Sequence, residues 1–270
     1  MNRTLTGAMV MALLVLAALD LGAETAAVKG AGVAFEEVKL AKKTGSCKKD
    51  AVGDCATISV KYPRITQAPS DEAREAMNAA ILKVVLQPAQ GEGPAPKRVE
   101  QIMDRFLAEY INSRDPEFDT AWEEELEVGV QYNGPRVVCL GFSHYAYTGG
   151  AHPSSNLNYL NLETATGKTL ALSDIMKPGY EKQLTAIAEK QFRKDKGLAP
   201  GASLADAGYN FDGDKFKLND NFAVLKDGLH FYYNFYEIAS YAEGPIEIVI
   251  KWSEIKGLLK KGGPVKLPLK

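Results

Sequence analysis

Apolar and polar positions change period several times along the chain, and each change predicts an element. Ala56 to Tyr62 alternates, with Ile58, Val60 and Tyr62 on one face, and Pro63 is expected to end that strand. From Ser70 the spacing becomes three and four: Ala73, Ala76, Met77, Ala80, Ile81, Val84 and Val85 form one stripe. Ser70 is placed as N-cap, with Asp71 and Glu72 in the first turn, so this is a helix with one buried side. Gln87 to Pro96 cannot continue it and predicts a loop. A second helix follows on Val99, Ile102, Met103, Phe106, Leu107, Tyr110 and Ile111. Leu126, Val128, Val130 and Tyr132 alternate up to Asn133-Gly134-Pro135, and apolar residues resume at Val137, which predicts a hairpin.

Beyond Tyr147 lies the irregular stretch TGGAHPSSN, then Tyr159 to Leu162, a turn at Thr164 to Gly167, and Leu170 to Leu172 as a second hairpin. Tyr180 to Lys196 predicts a helix stopped by Gly197. A long linker, Leu198 to Lys217, separates it from strands at Phe222 to Leu225, Leu229 to Phe235 and Ile246 to Ile250. A short helix starts at Ser253, and the tail from Lys260 is expected to be loose. Strands pair through short turns and helices fall between groups of strands. That order predicts an α+β fold of antiparallel sheets with packed helices, in two lobes: residues 33–148 and 149–260, with 261–270 as tail.

Composition narrows the classes. Of 270 residues 46% are hydrophobic and 24% charged, enough for a real core. A formal charge of -2 supplies no grip for a polyanion, so nucleic acid is not an expected partner. Arg3 precedes the uncharged run Ala8 to Leu19, followed by Gly22 and Ala23: the order of a secretory signal peptide over residues 1–23. An uncleaved anchor is the other reading, and only then would a membrane be a partner. The expected address is periplasmic or secreted. Export lets nearby thiols pair, and Cys47 and Cys55, across KKDAVGD, are expected to close a small disulfide loop. Cys139, inside VVCLGF, is a buried free thiol.

Chemistry-bearing residues gather in HYAYTGGAHPSS, with Tyr145, Tyr147, Gly149, Gly150 and His152. Alternation puts His144 on the apolar face and Tyr145 and Tyr147 on the other. His144 reads as a core-edge histidine with one hydrogen bond. His152, on the Gly-rich loop, is the better functional candidate; it either binds a ligand or holds the loop between lobes. With three histidines and no H-x-x-x-H spacing, no metal or other cofactor is expected. Asp212-Gly213-Asp214 and Asn219-Asp220-Asn221 read as turns. A second cluster, HFYYNFYEIASY, carries Tyr236, Glu237 and Tyr241, with Phe231, Tyr233 and Phe235 on one face; its tyrosines suit protein or carbohydrate recognition, or packing.

YAYTGGAHPSSNLNYLNLETATGKTLALSDIM and LKDGLHFYYNFYEIASYAEGPIEIVIKWSEI resemble the extracytoplasmic domain shared by RsiV-type anti-sigma factors and the non-catalytic N-terminal part of PdaC-type peptidoglycan deacetylases, a DUF3298 domain with a PdaC-like N-terminal half. The likeness spans roughly residues 33 to 260, with Gly149 to His152 and Tyr236 to Ala239 its most specific points. RsiV-type proteins recognise lysozyme with this domain. Neither a cytoplasmic sigma-binding segment before the export signal nor a deacetylase domain after residue 260 is expected. The resemblance therefore implies a non-enzymatic exported binding or sensing module, its partner a lysozyme-like envelope protein or a peptidoglycan fragment. From another class comes a small envelope hydrolase acting through His152 and Glu237.

Overall fold

The computed structural model describes residues 32–47, 55–87, 94–113 and 120–265; the stretch 1–23 read as a signal peptide and most of the segment 87–96 read as a loop lie outside the described residues. The described residues form a mixed α+β fold of eight strands in two sheets, with five α-helices. The first sheet holds β1 (Ala34–Gly45), β2 (Cys55–Gln67), β3 (Trp122–Asn133), β4 (Val137–Tyr147) and β5 (Ser154–Glu163), in chain order across the sheet. Helices α1 (Asp71–Val85) and α2 (Val99–Ser113) link β2 to β3 and cover one face. Met77, Ile81, Ile102, Met103 and Phe106 there meet Ile58, Val60, Leu126 and Leu140. Ser70 Oγ accepts from Ala73 N at 3.1 Å, capping α1 where the sequence placed the cap.

Two expectations about this sheet change. The pairing is not wholly antiparallel, because the two-helix crossover returns β3 parallel to β2. Pro63 does not end β2, which runs on to Gln67. The β2–β3 ladder stops at Lys61–Glu127, so past that point β2 has a paired strand on one side only, and a proline without N–H costs no ladder bond there. Asn78 of α1 takes the missing strand's place, its carboxamide bonded to Ile65 N at 2.8 Å and Ile65 O at 3.0 Å. A carboxamide offers a donor and an acceptor side by side, as a peptide does.

The second sheet is β6 (Phe222–Val224), β7 (Gly228–Tyr233) and β8 (Ile246–Lys251), with the short α3 (Leu172–Ile175) and α5 (Trp252–Ile255) and the longer α4 (Glu181–Asp195) around it. Leu184, Ala188 and Phe192 of α4 enter a core with Leu229, Phe231, Ile248 and Ile250. The linker 198–217 is not slack: Leu204, Tyr209, Phe211 and Phe216 are buried, and three of these rings surround Phe192 with centroids 4.9–5.9 Å away. Residues 261–265 are also docked, with Arg136 donating to Gly263 O at 3.1 Å and Pro264 buried. No described helix is long and apolar enough to cross a membrane.

The two sheets join through asparagines. Asn161 of β5, 2% exposed, donates to Phe222 O at 2.7 Å and accepts from Val224 N at 2.8 Å. Asn221 binds Leu157 O and Tyr159 N, and Asn234 binds Leu157 N and O, so the outer edge of β5 is hydrogen-bonded by side chains of the second sheet. The expected lobe boundary at 148–149 falls between β4 and β5, which are hydrogen-bonded neighbours.

On β7, His230 lies between two carboxylates, Nδ1 at 3.0 Å from Glu247 and Nε2 at 3.0 Å from Asp227. The Glu247 bond, opposed by burial and aided by Asp227, raises the imidazole pKa above its ordinary 6.5. A raised value means that the folded state binds the proton more tightly. The stabilisation is complete below about pH 6.5 and is lost as pH climbs through the raised value. Denaturant unfolding across that window should show a decline in wild type that His230→Gln flattens; parallel curves would refute the role.

Candidate functional site

The strand β4 leaves the core gradually. Val137 and Cys139 lie under the second sheet, and burial pushes the Cys139 thiol up to about 12, so it is no nucleophile. Farther along, Tyr145 and Tyr147 stand half-buried on the face away from α1 and α2. Burial raises the Tyr145 phenol above its usual value, and Glu123, Glu125, Tyr147 and Tyr241 push the same way. On the helix-covered face, His144 Nε2 meets Glu124 Oε1 at 2.8 Å, the single partner that a core-edge histidine needs.

The chain then turns through Gly149 and Gly150. Gly149 has φ +91°, and a Cβ on it would stand 2.4 Å from Thr120 Oγ1, so this position needs glycine. Gly150 has neither constraint: a Cβ there would meet nothing nearer than His152 O at 3.7 Å. The loop delivers His152, exposed, into a group of rings from the segment after β7. Its imidazole stacks on Tyr241 at 4.2 Å with 17° between planes, and Tyr241 stacks in turn on Phe235 at 4.7 Å. Nδ1 lies 3.2 Å from Pro153 O, a carbonyl that can only accept, so Nδ1 carries the proton. Nε2 therefore offers its lone pair to the Tyr236 hydroxyl at 3.0 Å.

Tyr236 is the unusual residue. It is 61% exposed and has φ +62°. Glu237 N donates to Asn234 O at 3.1 Å, closing a tight turn in which Tyr236 holds the third position, where a positive φ ordinarily selects glycine. A bulky side chain in that region costs on the order of 1–3 kcal/mol and persists where the surroundings hold it. Here the phenol–imidazole bond and tilted contacts with the His152 and Tyr241 rings, centroids 6.0 and 5.6 Å away, do so. Tyr236→Gly should remove the strain and raise stability by about 1 kcal/mol. Thermal unfolding checks this; a lowered Tm would mean that the ring contacts outweigh the strain.

Glu237 does not join His152 as the hydrolytic pair anticipated from the sequence. Its carboxylate accepts from Asn234 N and Asn219 Nδ2, both at 2.8 Å, and braces the turn that presents Tyr236. Glu237 is thus a positioning residue, and the histidine's partner is the tyrosine beside it. His152 ties the Gly149–His152 loop to the segment after β7, and Asn161, Asn221 and Asn234 join the two sheets, although Asn219-Asp220-Asn221 reads as an ordinary turn. Cys47 and Cys55 form a disulfide, Cα atoms 5.1 Å apart, at the end of the β1–β2 pair where the chain passes from one strand to the next and Gly45 pairs with Cys55. Among the described residues no three His, Cys, Asp or Glu converge as metal ligands.

Residues 50–155 match the family model described as Deacetylase PdaC, and residues 173–253 match the one described as Protein of unknown function (DUF3298). The chain matches the PdaC/DUF3298 type in both halves. His152 comes from the PdaC-type segment and Tyr236 and Tyr241 from the DUF3298 segment, so the ring cluster forms where the two meet. The sequence is similar to peptidoglycan-N-acetylmuramic acid deacetylase PdaC of Bacillus subtilis, 24% identical over 219 residues. That match covers 80% of this chain and 46% of the relative, so the chain spans about half of that protein's length. Two solved structures share the fold. A DUF3298 family member from Bacteroides fragilis gives a TM-score of 0.70 at 23% identity, covering 86% of this chain and 96% of the other. A DUF3298 family protein from Pseudomonas aeruginosa gives 0.65 at 20% identity, covering 86% and 97%.

These comparisons overturn one expectation. A non-catalytic chain was inferred from the lack of room for a separate deacetylase domain, yet the matching family model is described as a deacetylase and the curated relative is named as one.

Proposed function

We propose that the chain acts on peptidoglycan outside the cytoplasm, as a hydrolase of the deacetylase kind working at the Tyr236–His152–Tyr241 cluster. The observation that carries this reading is Tyr236 itself, an exposed aromatic residue held in a strained turn with its hydroxyl 3.0 Å from an imidazole lone pair. Strain kept at a solvent-facing side chain is the mark of a working position. The relative's name, the family description and a disulfide suited to an oxidising compartment support the class and the address.

The chemistry follows from the tautomer. With Nδ1–H fixed on Pro153 O, Nε2 is the base. It takes a proton from water; the water oxygen adds to the acetamide carbonyl carbon; the C–N bond breaks, and the imidazolium returns the proton to the leaving nitrogen. One acetamide and one water give one amine and one acetic acid. When substrate enters, the Tyr236 hydroxyl turns its proton from Nε2 to the oxygen that gains charge, which frees the lone pair for water, and the exposed Tyr236 ring offers a platform for a sugar ring.

Purified mature chain incubated with peptidoglycan should release acetate, with muropeptides losing acetyl groups by mass spectrometry. His152→Ala should cut the rate about 100-fold or more, and Tyr236→Phe by a smaller factor. A wild type that releases no acetate, or a His152→Ala variant as fast as wild type, would overturn the reading.

A further inference from the structure

One buried side-chain polar atom among the described residues lacks a hydrogen-bond partner: Asn219 Oδ1 is shut off from solvent and accepts nothing. An acceptor left unpaired in this way destabilises the fold, so it calls for a reason. The carboxamide cannot escape by turning over. Its Nδ2 donates to Tyr232 O at 2.7 Å and to Glu237 Oε1 at 2.8 Å, and exchanging its two ends would set an oxygen against two acceptors. The bond to Tyr232 O does not explain the residue, because Asn221 Nδ2 already donates to that carbonyl at 2.9 Å. What remains particular to Asn219 is its hold on Glu237.

Glu237 spans the turn that carries Tyr236. Its Oε2 accepts from Asn234 N at 2.8 Å, its own N–H closes the turn on Asn234 O, and Oε1 is left for Asn219. Asn219 thereby ties the carboxylate to the end of β7, and the turn so braced sets Tyr236, at φ +62°, with its hydroxyl 3.0 Å from His152 Nε2. An orphaned acceptor and a strained backbone thus lie on one hydrogen-bonded path that ends at the imidazole, and unfavourable local terms gathered at one place are what a functional site retains. We propose that Asn219 is a positioning residue of this site: acting through Glu237 it aims the Tyr236 hydroxyl, and the fold keeps its orphaned oxygen for that purpose. It touches no reacting atom. The aim is a property of the free chain; only its effect on rate rests on the peptidoglycan reading above.

Nitrogen-15 NMR of the His152 ring in the purified chain tests this, with Tyr236→Phe marking where the Nε2 resonance falls once the phenol bond is gone. Asn219→Ala and Glu237→Ala should each move that resonance toward the Tyr236→Phe position, and so should Asn219→Asp, which keeps the shape and loses the donor. Asn219→Ala should unfold at no lower temperature than wild type, because alanine removes the orphan together with the bonds. Acetate release from peptidoglycan should fall about tenfold in Asn219→Ala, as a displaced donor predicts. The double variant should fall no further than Glu237→Ala alone, since residues acting in series do not add. A resonance unmoved in both Asn219 variants, or a lowered Tm in Asn219→Ala, would make Asn219 a residue of the fold only and overturn the proposal. Losses that multiply in the double variant would overturn action through Glu237. A wild type that releases no acetate would remove the peptidoglycan reading, and the resonance comparison would still decide the positioning role.

Discussion

Replacing Asn161 with leucine is expected to lower the free energy of unfolding by about 2–6 kcal/mol, because it strands one buried N–H and one buried C=O, at about 1–3 kcal/mol each. Asn161 is 2% exposed and is the residue through which β5 holds β6: its carboxamide receives Val224 N at 2.8 Å and gives to Phe222 O at 2.7 Å. Leucine fills nearly the same volume, so the loss isolates hydrogen bonding from cavity formation. The strand supplies its own control in Asn158, which is exposed on β5; Asn158→Leu should change stability by no more than about 0.5 kcal/mol. Chemical denaturation of both variants makes the comparison. Similar losses from the two would mean that the sheets are held together by apolar packing alone. A second transition, seen only in Asn161→Leu, would show that the bond pair couples the two cores into one unfolding unit.

What the sequence disclosed, and what it hid, divides along the same line. Long periodic runs announced α1, α2 and α4, since a buried stripe leaves a local signature, and Asn133-Gly134 announced the β3–β4 hairpin. Partner identity leaves no such signature. The alternation of β2 is the same whether β3 lies parallel or antiparallel to it, and β1, a lysine-rich edge strand with mostly half-exposed residues, shows too little contrast to stand out. The bridging asparagines look like turn residues because carboxamides serve both uses, and only their buried position separates the two. At the site, Tyr145 and Tyr147 sharing a face was legible from alternation, and His152 was legible from its loop. That His152 meets Tyr236, 84 residues away, instead of Glu237 depends on a turn with a left-handed tyrosine, which local propensity argues against. Such a conflict between local preference and observed conformation is where function is to be sought.

Gly167→Ala should be the other large effect, costing about 2–5 kcal/mol from the left-handed backbone and forced overpacking together. The turn after β5 has φ +73° at Gly167 and lies against α1. A Cβ there would stand 2.6 Å from Ala73 O, 2.6 Å from Ala76 Cβ and 3.0 Å from Met77 N. Two of these three are backbone atoms of a helix whose Ala73 and Met77 are buried, so no side-chain rotation relieves the contact. Gly197, just past α4, provides the comparison: its φ is +65°, yet a Cβ would meet nothing within 4 Å. Gly197→Ala therefore carries only the backbone term, about 1–2 kcal/mol. The difference between the two losses in denaturant unfolding measures how tightly the turn is docked on α1. Equal losses would show that α1 can shift to admit the methyl group, and would take away the rigid contact by which the first helix fixes the far end of β5.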